Sequence, residues 1–321
     1  MNHALAPASH PTRVAITGGT GFLGRVCTEV LIARGYAVHV LSRTKPVNAR
    51  AHWLACDVLD HRATSEALGH TGATALLHLA WSDHTPFASS AEYQASPNHD
   101  AWLEASRSLF NAFAACAPGG RIVAAGSALE YGTPTAPSHE DDPVAGALSH
   151  YAHRKRDTQL ELARIARTHG LRWAWARLFP LYGRGASPRR IIARVTRALL
   201  KGDVVHCPPS PYLRDLVVAA DAAEVVVRLM DRAPNAVVNV GSGVGHAFED
   251  VLRELACLIG RADLLQFDAL MPDGLRDEAP VLVANVERER TTTGFVPSTP
   301  LAEGLASVID HCRAHAGEPS A

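Results

Sequence analysis

Residues 13–24 read Arg13-Val14-Ala15-Ile16-Thr17-Gly18-Gly19-Thr20-Gly21-Phe22-Leu23-Gly24, a short apolar run that ends in a glycine-rich turn. The next residues are helical in pattern, with Val26, Val30 and Ile32 as the apolar positions and Gly35 as the stop. The order strand, tight turn, helix decides the reading. Glycines let the backbone turn sharply and come close to a ligand. The free N–H groups and positive dipole end of the helix then attract a pyrophosphate. The stretch predicts a dinucleotide site at Gly18, Gly21, Phe22, Leu23 and Gly24.

The next strand, Ala37 to Leu41, ends at Ser42-Arg43. A site that prefers NAD places a carboxylate here to accept hydrogen bonds from the ribose 2′-OH, and none is present. An arginine pairs instead with a 2′-phosphate, so Ser42 and Arg43 predict NADP(H) in preference to NAD(H).

Further along, Ala75–Leu79, Arg121–Ala125 and Leu171–Leu178 read as strands, separated by helices near 99–116 and 150–169. That alternation predicts an α/β protein with a Rossmann-like, doubly wound parallel sheet. After Pro180 the pattern is less regular, although Val237–Val240 returns one more strand before a helix over Phe248–Ile259. The expected organisation is a dinucleotide-binding domain over 11–180 plus about 216–244. A smaller, discontinuous C-terminal substrate domain spans about 181–215 plus 245–315, and residues 1–10 and 316–321 are flexible ends.

Composition suits a globular enzyme: 321 residues, 47% hydrophobic, with a formal charge of -1. That charge gives no global basic footprint for nucleic acid, and no apolar stretch approaches the length of a membrane span. The N-terminal MNHALAPASHPTR has no signal-peptide core. Six cysteines without CxxC pairs fit a reducing compartment, and cytoplasmic location is the expectation. His150/His153 and His311/His315 gain no cysteine or carboxylate set, so no metal site is expected.

Tyr151 and Lys155, one helical turn apart in SHYAHRKRD, share a helix face. Alone, such a pair is more often an inconsequential surface feature; the glycine turn changes that. A neighbouring ammonium and an oxidised nicotinamide would draw the phenol's pKa down from roughly 10 toward working pH. The tyrosine could then exchange a proton with a substrate oxygen while hydride moves to or from carbon. Ser127, in Gly126-Ser127-Ala128-Leu129-Glu130-Tyr131-Gly132, comes after a strand and so belongs at the sheet's carboxyl end, where it can hydrogen-bond the reacting oxygen.

TGGTGFLG, Cys56-Asp57-Val58, His78-Leu79-Ala80, GSALEYG, YAHRK, RLFPLYGRG and Arg214-Asp215 followed by Asp221 together resemble the extended short-chain dehydrogenase/reductase family over nearly the whole chain. The likeness is strongest to its nucleotide-sugar epimerase, dehydratase and ketoreductase members. The resemblance implies Ser127, Tyr151 and Lys155 as the catalytic set, with Tyr151 and Lys155 also touching cofactor. It places Asp57 and Val58 at the adenine, Leu79 and Ala80 beside the cofactor, and Leu178 and Phe179 near the nicotinamide. Arg214 would hold a nucleotide diphosphate. Arg189 and Arg190 are further candidates, because they open a basic run at a helix N-terminus. The resemblance also implies a homodimer through a four-helix interface that includes helices 99–116 and 150–169.

Two departures narrow the reaction. Sugar-nucleotide 4,6-dehydratases carry an Asp-Glu pair after the residue matching Ser127, whereas this chain has Ala128 and Leu129, so elimination of water lacks its acid and base. Pro180 stands where many members have a substrate-binding Asn. The expectation is an NADP(H)-dependent reductase of the 4-keto group of a nucleotide-activated 4-keto-6-deoxyhexose. Alternatives are a 4-epimerase with retained NAD, a reductase of phenolic or sterol-like ketones, and a non-catalytic dinucleotide sensor.

Overall fold

The computed structural model describes residues 12–82, 89–268 and 279–315. The two ends expected to be flexible lie outside the described residues. The first half runs β1 (Arg13–Thr17), α1 (Phe22–Ala33), β2 (Ala37–Ser42), β3 (His52–Ala55), α2 (His61–Gly69) and β4 (Ala75–His78). It continues through α3 (Ser90–Ala95), α4 (Asn98–Cys116), β5 (Arg121–Ser127), α5 (His150–His169) and β6 (Arg172–Leu178). Then come β7 (Leu181–Tyr182), α6 (Ile191–Lys201), β8 (Val205–His206), β9 (Leu213–Asp215), β10 (Val217–Val218), α7 (Ala219–Arg232) and β11 (Ala236–Val240). The remainder is β12 (Gly245–Ala247), α8 (Phe248–Ile259), β13 (Leu265–Gln266), β14 (Val281–Leu282), α9 (Glu287–Thr293) and α10 (Leu301–Ala314).

Seven of these strands form one parallel sheet in the order β11-β6-β5-β4-β1-β2-β3. The chain leaves β1 toward β2 and comes back to β4 on its other side, so a crevice opens beyond the carboxyl ends of β1 and β4, where ligands bind in open α/β sheets. Strands covered on both faces lose the alternation of a half-exposed strand. Accordingly Val14, Ile16, Leu77 and Val123 pack under α1 and α7, while Ala15, Leu76, Ile122 and Ala124 pack under α2, α4 and α5.

The buried face of α1 differs from the sequence expectation. Leu23, Cys27, Leu31 and Ile32 are buried, whereas Val26 and Val30 pack half-buried at its flank. A third core, around Ile192, Leu199, Leu252, Leu255, Leu305 and Val308, unites α6, α8 and α10 as a separate lobe. It is discontinuous, yet α9 does not join it: α9 packs against α7 and β11, and Ala284, Val286 and Phe295 belong to the first core. No helix among the described residues is long and apolar enough to cross a membrane.

Candidate active site

The turn after β1 is glycine by necessity at two points. Gly18 has φ +73°, and a methyl group there would lie 2.6 Å from Ala80 N. A methyl on Gly24 would lie 1.9 Å from Gly18 O. Gly21 N–H donates to Gly18 O at 2.9 Å and closes the turn. Gly21 is the N-cap of α1, with no side-chain cap and no acid in the first turn. Those N–H groups and the dipole end are thus open to an anion, which fits a dinucleotide's pyrophosphate.

Leu79 N–H donates to Thr17 O at 3.0 Å, which seats Leu79 and Ala80 against the turn. His78 is buried and fixes this junction from both ring nitrogens, 2.7 Å from Thr17 Oγ1 and 2.9 Å from Ser106 Oγ. Burial pushes its pKa down to about 3, so it stays neutral. At the end of β2, buried Ser42 donates to Thr44 O at 2.7 Å, while Arg43 and Lys45 are exposed. Lys45 doubles the positive charge there and was not singled out in the sequence. Asp57 accepts from Leu59 N–H at 3.0 Å and shapes the turn beside buried Val58.

Ser127, Tyr151 and Lys155 come together at the carboxyl end of β5. Ser127 caps a short 3-10 turn over Ala128–Tyr131, its hydroxyl accepting Leu129 N–H at 3.2 Å, and it acts on the Tyr151 phenol to lower its pKa. Lys155 is 4% exposed; its Nζ donates to Ala125 O at 3.0 Å and sits 3.7 Å above the Trp81 ring centroid, against 5.9 Å from that of Tyr151. Burial lowers the lysine's pKa to about 7, opposed by the Glu130 charge. Burial raises the Tyr151 pKa above its ordinary value; the Ser127 hydroxyl works the other way, and Glu130 adds to the rise. In the protein alone, therefore, Lys155 does not draw the phenol toward phenolate as the sequence suggested. Burial is the largest influence on the phenol, and the ammonium is turned toward Ala125 O and Trp81. A phenol held protonated is ready to give up its proton to a substrate oxygen.

On the substrate side, Arg189, Arg190 and Arg214 line one cavity of about 520 Å³, joined by Arg194 and Pro180. Arg190 is the N-cap of α6 and reaches back over the Phe22 ring at 5.4 Å, with Nη1 donating to Leu181 O at 3.2 Å. Although Arg190 is exposed overall, burial of its charged group is the largest influence and lowers its pKa. Arg214 donates to Ala279 O at 2.7 Å and lies 5.1 Å from the Tyr212 ring centroid. The acids of the same segment are structural. Asp215 accepts from Ser242, Gly243 and Ala284, and Asp221 accepts from Ser298 and Thr299 N–H groups.

Leu178 is half-buried at the end of β6, whereas Phe179 is a core side chain packed near Tyr131, so only its backbone is left to meet a cofactor. Two further residues of the site went unrecognised in the sequence. Glu130 accepts Ser127 N–H at 2.7 Å from full burial, a partner that the Ser-x-x-Glu capping pattern could have revealed. Trp81 carries no local signal at all. No group of three or more His, Cys, Asp or Glu among the described residues could hold a metal ion.

The model of the NAD dependent epimerase/dehydratase family matches residues 14–241, which spans the glycine turn, Ser127, Tyr151, Lys155 and β11. The chain belongs to that family. It is 27% identical over 315 residues to dTDP-6-deoxy-L-talose 4-dehydrogenase (NAD(P)(+)) of Kitasatospora kifunensis, covering 94% of this chain and 95% of that one. Its fold superposes on UDP-glucose 4-epimerase of Thermotoga maritima solved with UDP-glucose, at a TM-score of 0.84 and 20% identity, covering 94% and 99% of the two chains. A UDP-glucose 4-epimerase of Thermus thermophilus, solved in complex with NAD, aligns at a TM-score of 0.81 and 25% identity over the same shares. The chain is thus an enzyme of this family, on the Rossmann-like fold expected from its first turn.

Proposed function

We propose that this enzyme reduces the 4-keto group of a nucleotide-activated 4-keto-6-deoxyhexose with NADPH. The observation that carries the reading is the end of β2: Arg43 and Lys45 are exposed there, and residues 42–45 include no carboxylate for a ribose 2′-OH. An exchangeable NADPH suits a net reductase. The Kitasatospora relative is named for oxidation at C4 of a 6-deoxy sugar on dTDP with NAD(P)+, and the reverse of that reaction is a 4-keto reduction.

Bound at the glycine turn, NADPH would supply the hydride to C4. Tyr151 gives its phenolic proton to the C4 oxygen, so the carbonyl becomes an alcohol with both hydrogens accounted for. Ser127 fixes that oxygen by hydrogen bond, and charged Lys155 stabilises the phenolate left on Tyr151. Arg189, Arg190 and Arg214 hold the substrate diphosphate in their shared cavity.

The test is NADPH oxidation, with NADH in parallel, by purified protein given a panel of nucleotide 4-keto-6-deoxy sugars. Turnover preferring NADPH and lost in Tyr151→Phe supports the proposal. A second reading, 4-epimerisation, is favoured by the close fold match to UDP-glucose 4-epimerases. Tightly bound, non-exchanging NAD in the purified protein, with no net oxidation of NADPH, would select it.

A further inference from the structure

We propose that Trp81 is a positioning residue for Lys155, its indole face holding the lysine ammonium over the active site and keeping it charged in the protein interior. The proposal rests on the reductase reading only for its effect on turnover.

Three observations carry it. The Lys155 Nζ lies 3.7 Å above the Trp81 ring centroid, against 5.9 Å from Trp175 and from Tyr151, so the indole is the face it rests on. Such a contact is attractive within about 6 Å and strongest where water is excluded. Lys155 is 4% exposed, and its hydrogen-bond acceptor among the described residues is Ala125 O at 3.0 Å.

The second observation is that the indole is itself locked. Trp81 Nε1–H donates to His99 Nδ1 at 3.2 Å, with the two ring planes 19° apart, so the rings meet edge to edge. An indole N–H can only donate, so His99 Nδ1 accepts. His99 Nε2 therefore carries the hydrogen and donates to Tyr93 O at 2.7 Å. This chain of bonds requires a neutral His99, and burial lowers the His99 pKa.

The third is the balance of charge around the ammonium. Glu130, on the turn after β5, attracts it. Tyr151, on α5, is neutral in the free protein. His78 on β4 and His99 on α4 are held neutral by burial and by Lys155 itself. Besides the Glu130 charge and the Ala125 carbonyl, the face of Trp81 favours the charged form of the lysine.

The chain has three lysines, Lys45, Lys155 and Lys201, and the other two reach solvent. The ionisation of Lys155 is consequently readable by NMR of 13C-labelled lysine in protein free of cofactor and substrate. In wild type this signal should titrate near 7. In Trp81→Leu its midpoint should fall by about one further unit. Trp81→Phe retains a weaker ring face and should shift by less, and it decides the matter alone where the leucine variant does not fold. An unchanged midpoint in a folded variant overturns the proposal. With a keto substrate that is turned over, kcat/KM of Trp81→Leu at pH 7 should fall about fivefold and recover as pH is lowered. Because the titration needs neither substrate nor cofactor, its outcome stands whatever reaction the enzyme catalyses.

Discussion

Arg177 Nε lies 2.9 Å from Glu130 Oε2, with both side chains sealed in the interior. The same carboxylate accepts Trp175 Nε1–H at 3.0 Å and the backbone N–H of Ser127 at 2.7 Å. Arg177 and Trp175 stand on β6, directly beside β5, so the neighbouring strand holds Glu130 and Glu130 holds Ser127. A methyl on Gly126 would lie 2.2 Å from Trp175 Nε1, so this arrangement also demands glycine at the position before the serine.

Removing one partner of a buried pair leaves the other charged and unpaired. Glu130→Ala should therefore cost about 3–5 kcal/mol in urea unfolding. Glu130→Gln keeps an acceptor for Ser127 N–H and should cost less. Equal stability of Glu130→Ala and wild type would show that Arg177 finds another partner.

Tyr151→Phe removes the proton donor and leaves the ring. Turnover should drop by about 10²–10⁴-fold, the usual contribution of a positioned acid. NADPH affinity, read by fluorescence titration, should change far less than turnover, because the contacts proposed for the glycine turn are left in place. A variant that keeps full turnover would transfer the acid role elsewhere.

These expectations trace back unequally to sequence. The turn at Gly18–Gly24 was legible because its constraints are local: a positive φ and a backbone approach that admits no Cβ. Which face of α1 is buried was less so. Leu23, Cys27 and Leu31 on one side and Val26 and Val30 on the other both recur at helical spacing, and only the positions of the sheet and α7 choose between them. Glu130 meets Arg177, and Trp81 meets Lys155, across long intervals of chain that no local pattern encodes. Likewise Asp215 and Asp221, which the motif marked beside Arg214, are absorbed in holding neighbouring loops.

Arg43 offers the sharpest test of cofactor choice. A charge-assisted hydrogen bond is worth about 1.5–3 kcal/mol, so Arg43→Asp should raise the KM for NADPH roughly 10–100-fold. The new carboxylate should at the same time favour NADH through the ribose 2′-OH. Unaltered discrimination in initial rates would locate the 2′-phosphate contact elsewhere, with Lys45 as the next residue to change.

We expect the enzyme to pair as a homodimer through α4 and α5, which lie side by side on one face of the sheet. Leu160 on α5 is 60% exposed, an apolar side chain that a partner helix would cover. Sedimentation velocity should show a dimer for wild type and a monomer for Leu160→Glu. A wild-type monomer across micromolar concentrations removes this interface.

Glu289 links stability to pH. It is fully buried, Oε2 accepts Gly241 N–H at 3.2 Å, and Oε1 has no partner among the described residues. Burial raises its pKa from 4.5 to about 9; the Gly241 bond lowers it, and the charges of Asp215, Glu140 and Asp221 raise it further. Across that interval the folded chain keeps a proton that the unfolded chain releases, so stability falls as pH rises. The protonated side chain's contribution is complete below the unfolded value and lost as pH climbs through about 9. Glu289→Gln can still accept from Gly241 and has no proton to lose. Its Tm should match wild type near pH 5 and exceed it by at least about 4 °C near pH 9, measured by differential scanning calorimetry. A difference in Tm that stays constant across this range would mean that Glu289 ionises in the fold without cost.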